Sequence, residues 1–168
     1  ELFGGDGDDI LHSLSDGGDR LFGGAGFDTA SFSRSTIGVT IDLRISEAQP
    51  IDVMHYVTLD AIEALEGSAF ADRLTGNVGA NRLQGGAGDD LLVGGLGDDV
   101  LDGGTGVDTA SYADAASGVT VNLRLATRQN TLGAGIDTLV GIETLEGSAF
   151  SDRLSGNGGT NILIGGAG

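Results

Sequence analysis

A nine-residue unit recurs in this chain without a gap: GGAGDDLLV from Gly85, GGLGDDVLD from Gly94 and GGTGVDTAS from Gly103. Short-period repetition constrains the fold strongly, because so small a unit cannot bury its own apolar residue and must stack on its neighbours. The unit also appears as GGDGDDILH from Gly4 and GGAGFDTAS from Gly23, with a degenerate copy, Ser13 to Phe22, between them. Weaker copies keep the register from Gly67 (GSAFADRLT), Gly76 (GNVGANRLQ), Gly147 (GSAFSDRLS) and Gly156 (GNGGTNILI), and a partial GGAG follows from Gly165. A longer repeat lies over the short one, since EGSAFADRLTG from Glu66 returns as EGSAFSDRLSG from Glu146.

In GGxGxDxUx the glycines occupy positions that need positive φ or leave no room for a Cβ, so the first six residues form a tight turn. The last three then extend, with the large apolar residue U pointing inward. Leu11, Ala30, Leu74, Leu83, Leu92, Leu101, Ala110, Leu154 and Leu163 fill that slot, with Leu21 the equivalent in the degenerate copy. Stacked units turn these residues into a ladder along a thin parallel solenoid core. Such a core is one side chain thick, and the chain carries 32 glycines. Apolar burial alone is therefore marginal against the backbone entropy that must be lost.

Two related spacers, Ser31 to Glu66 and Ser111 to Glu146, interrupt the repeats. Each opens on an alternating stretch, GVTIDLR from Gly38 or GVTVNLR from Gly118, that reads as a strand with one apolar face. A second strand is expected around Ile62 to Leu65 and Ile142 to Leu145. The variable stretch Ala126 to Gly135 is expected to bulge outward as a loop. Phe70 and Phe150, which recur in the long repeat, and Tyr112 with its counterpart Phe32 are expected to plug the core where the coil widens. No stretch has the spacing of an amphipathic helix. The division is then a short run at 1–31, a spacer at 32–66, a main run of five units at 67–111, a spacer at 112–146 and the start of a third run at 147–168, all in one solenoid.

Position six holds Asp9, Asp28, Asp72, Asp90, Asp99, Asp108 and Asp152, with Asn81 and Asn161 as neutral substitutes. Stacking crowds these carboxylates beside turn carbonyls, an all-oxygen environment that is repulsive when empty. A hard cation with six to eight oxygen ligands resolves the repulsion, and calcium tolerates irregular geometry better than magnesium. Cation binding then contributes folding energy. The position-five acids Asp8, Asp89 and Asp98 read as exposed contributors to the field and solubility.

The five complete copies resemble the calcium-binding nonapeptides of RTX proteins, the hemolysin-type repeats of secreted toxins, proteases and epimerases. The spacer pattern of DTASY, GVTVNL and GIETLEGSAFSD extends the resemblance over nearly the whole chain. That resemblance implies an all-β, right-handed parallel β-roll, here with two wider spacer coils, and calcium held between the turns of units n and n+2. The pairs implied are Asp9 with Asp28, Asp72 with Asp90, Asn81 with Asp99, and Asp90 with Asp108. The turns implied to line the sites are Gly4, Gly5, Gly7, Gly23, Gly24, Gly26, Gly85, Gly86, Gly88, Gly94, Gly95, Gly97, Gly103, Gly104 and Gly106, with Asp152 completing the set. Roughly three to six ions are expected if neighbouring turns share them. The Gly67 and Gly147 copies depart from the pattern, with Ser-Ala-Phe where Gly-x-Gly belongs.

Charge and composition narrow the function. The net charge is −17, and the chain has no Lys and no Cys. Nucleic acid is repelled, because little basic charge is available to displace phosphate counterions. Schiff-base chemistry, P-loops, disulfides and thiolate metal sites are excluded by residue type. No apolar run is long enough to span a bilayer. With no nucleophile or acid/base constellation, the chain reads as a non-catalytic block of a longer protein. The resemblance implies a secreted bacterial parent, type I secretion and folding on extracellular calcium, with neighbouring repeats of the parent chain as partners. A polysaccharide- or cell-surface-binding module of an extracellular enzyme or adhesin is the alternative.

Overall fold

The computed structural model describes residues 1–13, 18–51 and 54–168. The middle of the degenerate copy, 14–17, and spacer residues 52–53 lie outside the described residues. The first run carries β1 (Leu2–Asp6), β2 (Ile10–His12), β3 (Gly18–Ala25) and β4 (Thr29–Ser31). The first spacer adds β5 (Thr40–Asp42), β6 (Gln49–Pro50), β7 (Tyr56–Asp60) and β8 (Ala64–Glu66). The middle run holds β9 (Arg73–Thr75), β10 (Arg82–Ala87), β11 (Leu91–Val93), β12 (Val100–Thr105) and β13 (Thr109–Ser111). The second spacer follows with β14 (Thr120–Asn122), β15 (Gln129–Asn130), β16 (Ile136–Val140) and β17 (Thr144–Glu146), then β18 (Arg153–Ser155) and β19 (Ile162–Ile164). Among the described residues there is no helix, and so none long and apolar enough to cross a membrane.

The fold is an all-β parallel β-roll. Within the nonapeptide runs successive strands alternate between two ladders, so each strand pairs with the one two units on. One ladder stacks Leu11, Ala30, Leu65, Leu83, Leu101 and Leu139 in register. The other stacks Ile41, Leu74, Leu92, Ala110, Leu145 and Leu163. All these pairings are parallel, and apart from Leu163 their inward residues form one apolar core. Single-residue alternation explains it: in β10, Arg82 is exposed, Leu83 fully buried and Gln84 half-buried. The expected spacer faces hold too, since Val39, Ile41, Val119 and Val121 are buried.

Four expectations need correction. Phe70 and Phe150 are 46% and 47% exposed. They sit in turns rather than strands, so only Phe32 and Tyr112 plug the core. Leu154 is only partly buried, and Leu163 is 46% exposed, because β19 has a partner on one side alone. Finally, Ala126 to Gly135 does not bulge outward as a whole. Gln129, Thr131 and Ala134 are buried, and β15 runs antiparallel to β16.

The antiparallel β15 fits the second spacer into a parallel roll. In the second spacer β16 pairs with β12 on one side and with the antiparallel β15 on the other. The Gln129 side chain then behaves as a peptide unit: Asn122 N–H donates to its Oε1 at 2.8 Å, and its Nε2 donates to the Asn122 carbonyl at 3.3 Å. The first spacer repeats the device, with Gln49 spanning the Asp42 N–H and carbonyl at 2.8 Å each. A side-chain amide carries one donor and one acceptor in backbone geometry, so it closes a ladder that the chain itself leaves open.

Candidate metal centre

The expected division of labour among the glycines is visible in the turns. In the complete copies the second and fourth positions, Gly5, Gly7, Gly24, Gly26, Gly86, Gly88, Gly95, Gly97, Gly104 and Gly106, all have positive φ, for example 93° at Gly104. First-position glycines are required for space instead. A Cβ on Gly4 would lie 2.7 Å from Asp9 Oδ2 and 2.5 Å from the Gly23 carbonyl oxygen. One on Gly85 would lie 2.7 Å from the Gly103 carbonyl and against Asp90 Oδ2, and Gly94 faces Asp99 Oδ2 in the same way. The turns at Gly4 and Gly85 therefore gather a carboxylate oxygen and a backbone oxygen around the place where a side chain would otherwise sit.

Position-six residues stack on those two units on, in separate hydrogen-bonded series. Asp9 N–H donates to Asp28 Oδ1 at 2.8 Å, Asp72 to Asp90 at 2.7 Å, Asn81 to Asp99 at 2.9 Å and Asp90 to Asp108 at 2.8 Å. The four pairs implied by the resemblance are thus in direct contact. Each bond uses only one oxygen of the acceptor. The second oxygens of Asp9, Asp28, Asp90, Asp99 and Asp108 are buried with no hydrogen-bond partner.

Such oxygens are costly as anions, since burial without a partner removes hydration and returns nothing. Burial, the neighbouring Asp137 and Asp98 charges pushing the same way, lifts the Asp99 carboxyl to about 7. Burial also raises Asp90 to about 6, with Asp72, Asp108 and Asp89 adding repulsion. Asp108 is raised for the same reasons, with Glu143 the first of its charged neighbours. Among the described residues no three acidic or histidine side chains converge on one point. A cation here would therefore take most of its ligands from backbone carbonyls. That donor set, hard, all-oxygen and irregular, fits calcium.

The departing copies close on themselves. Ser68 N–H donates to Asp72 Oδ2 at 2.5 Å and Ser68 Oγ to Asp72 Oδ1 at 2.9 Å. Ser148 does the same for Asp152, at 2.7 Å for both bonds. For Asp152 burial is outweighed by the Val119 and Ser148 hydrogen bonds, which hold its carboxyl below the usual range. Asn81 accepts from the Asn77 N–H at 2.8 Å and donates to the Glu63 carbonyl at 3.1 Å. These three positions leave no orphaned oxygen for an ion. The position-five acids are exposed as expected. Asp8 and Asp89 accept from Phe27 and Val107 N–H at 2.9 Å each, and Asp98 pairs with Arg128.

Sequence reading missed three members of the ladder. Asp28 N–H donates to Glu63 Oε2 at 2.9 Å, Asp108 N–H to Glu143 Oε2 at 3.0 Å, and Asp99 N–H to Asp137 Oδ1 at 3.2 Å. Each of these acids stands two places before an inward leucine, at Leu65, Leu145 and Leu139, as position six stands before U. That offset was the available signal. Asp137 is fully engaged, since Tyr112 Oη donates to its Oδ2 at 3.0 Å and Thr131 Oγ1 at 3.3 Å.

With the turns described, comparison with known proteins adds one finding. The family model for the RTX calcium-binding nonapeptide repeat (4 copies) matches residues 1–16, 13–31, 60–83, 75–110 and 137–168. Among curated proteins, none matches the chain.

Proposed function

The chain belongs to the RTX calcium-binding nonapeptide repeat family, and we propose that it is a non-catalytic module of a secreted bacterial protein that folds when it meets extracellular calcium. Family membership makes the chain a calcium-binding repeat module. Folding on calcium is supported by the five buried, unpartnered carboxylate oxygens at Asp9, Asp28, Asp90, Asp99 and Asp108. Without a cation these turns repel themselves, and a net charge of −17 opposes collapse further. With calcium the same oxygens become ligands, so binding and folding are one equilibrium. Inside a low-calcium cytosol the chain stays extended and suited to export, and outside it orders together with its parent.

A circular dichroism titration tests the reading. The chain is expected to be largely disordered in chelator and to gain β signal cooperatively at roughly 10⁻⁴ to 10⁻³ M calcium, the range of extracellular modules. Magnesium should not substitute. The same folded spectrum in chelator would overturn it.

A further inference from the structure

The geometry points to two calcium sites in which each spacer supplies the second acid: Asp28 with Glu63, and Asp108 with Glu143. This inference rests on the calcium reading above and extends it to residues outside the nonapeptide pattern.

Asp28 and Asp108 are the last position-six aspartates before a spacer returns to the roll, and both are 0% exposed. Each keeps a buried Oδ2 with no protein partner. In the Asp9 turn the orphaned oxygen faces the carbonyl of the next first-position glycine, Gly23. Above Asp28 no such glycine exists. Its place is taken by Ala61: a Cβ on Gly23 would collide with the Ala61 carbonyl oxygen and lie 2.7 Å from Asp28 Oδ2. Above Asp108 the place is taken by Gly141, whose carbonyl a Cβ on Gly103 would meet, with the Asp108 carboxylate carbon 2.7 Å away. Carbonyl and orphaned carboxylate therefore converge at both spacer returns as they do between complete copies.

The spacer turn is nevertheless shorter. Gly24 to Phe27 have no counterpart in it, and Ile62 alone separates Ala61 from Glu63, as Ile142 separates Gly141 from Glu143. To carry the carbonyl in so short a return the backbone goes left-handed, with φ of 51° at Ala61 and 60° at Gly141. The register nevertheless holds, with Ala64 beside Thr29 and Thr144 beside Thr109, so Glu63 and Glu143 stand where a position-six aspartate would and their Oε2 atoms accept the Asp N–H at 2.9 and 3.0 Å. Glu63 and Glu143 thus hold the position-six hydrogen bond with one oxygen. Their carboxylates supply the second negative charge to a site whose first acid is buried and unpaired. Calcium at these points would tie each spacer to the run before it.

Calcium binding to the whole chain, followed by equilibrium dialysis and by melting, tests the proposal with Glu63→Gln, Glu143→Gln and the exposed Glu47→Gln as a charge control. Glutamine keeps the acceptor for the Asp N–H and removes only the charge. Each of the first two changes is expected to lower the bound calcium by about one ion and to raise the folding midpoint several-fold, as loss of a charged ligand does, while Glu47→Gln leaves both unchanged. Full stoichiometry with an unchanged midpoint overturns the proposal. So does a lower melting temperature at full stoichiometry, which makes the glutamates structural acceptors alone. If a variant fails to fold at the wild-type midpoint, recovery at higher calcium supports the sites and no recovery overturns them. A wild-type chain that binds no calcium overturns the functional reading itself, a result separable from the others.

Discussion

The Asp90 backbone N–H donates to Asp108 Oδ1 at 2.8 Å, yet Oδ2 of both residues is buried without a partner. One carboxylate oxygen therefore serves the fold, and the other is left for something outside the polypeptide. The two roles can be separated by substitution.

Asp90→Asn keeps an acceptor for the Asp72 N–H, which now bonds Asp90 Oδ1 at 2.7 Å, and removes the buried charge. In chelator the variant should show more β signal than the wild type, because the buried charge and its repulsion by Asp72, Asp108 and Asp89 are gone. In calcium it should bind more weakly, because a neutral amide replaces an anionic ligand. Opposite signs in chelator and in calcium are the diagnostic result, read by circular dichroism. Loss of β signal in both conditions would contradict a carboxylate whose free oxygen is a ligand.

Protons should stand in partly for calcium. Asp90 and Asp99 are raised to about 6 and about 7 in the folded chain. Their unfolded values lie near 3.9, so the folded state binds more protons between the two. This contribution is fully present below about pH 4 and is lost as pH rises through about 6 and 7. In chelator the β signal should therefore grow between pH 8 and pH 5.5. Asp42 and Asp152 are shifted downward and so act only at lower pH. An apo chain whose β signal is flat or falls over that interval would count against the buried carboxylates as its source.

Ser68→Ala should destabilise the folded chain without costing an ion. The Ser68 hydroxyl donates to the Asp72 carboxylate at 2.9 Å, and a hydrogen bond to a charged group contributes about 1.5 to 3 kcal/mol. Calorimetry at saturating calcium should show a lower melting temperature, with the same stoichiometry by titration. Loss of an ion would mean that Asp72 is a ligand after all.

Gln129→Ala should open the second spacer. It leaves the Asn122 N–H and carbonyl facing the gap between β14 and β15 without their amide partner. Each buried, unpaired backbone group costs about 1 to 3 kcal/mol. Limited proteolysis in calcium should then cut within Arg124 to Thr131 in the variant and spare the wild type. Gln49→Ala is expected to expose the first spacer in the same way.

The nonapeptide is legible in the sequence because stacking is translation. The period gives the inward leucines, the position-six acids and the glycine roles, and the resemblance to a coil of two units adds that Leu83 lies against Leu101 and Asp90 against Asp108. Spacers have no such index. Where β7 and β16 return to the roll depends on how far the chain travels before an apolar face meets the preceding coil. That distance decides that Glu63, Asp137 and Glu143 continue the ladder and that Ala61 carries a turn carbonyl. Gln49 and Gln129 read as polar residues of a variable loop, and only the folded chain turns them inward, because an unpaired strand edge lies within reach of their amides. Likewise Ser-Ala-Phe reads as a decayed calcium turn, whereas in the structure the serine hydroxyl holds the carboxylate itself. The repeat by itself determined the roll and its acidic turns. Tertiary structure decided which turns keep an unsatisfied oxygen, because that depends on which groups stand above each aspartate when the coils close.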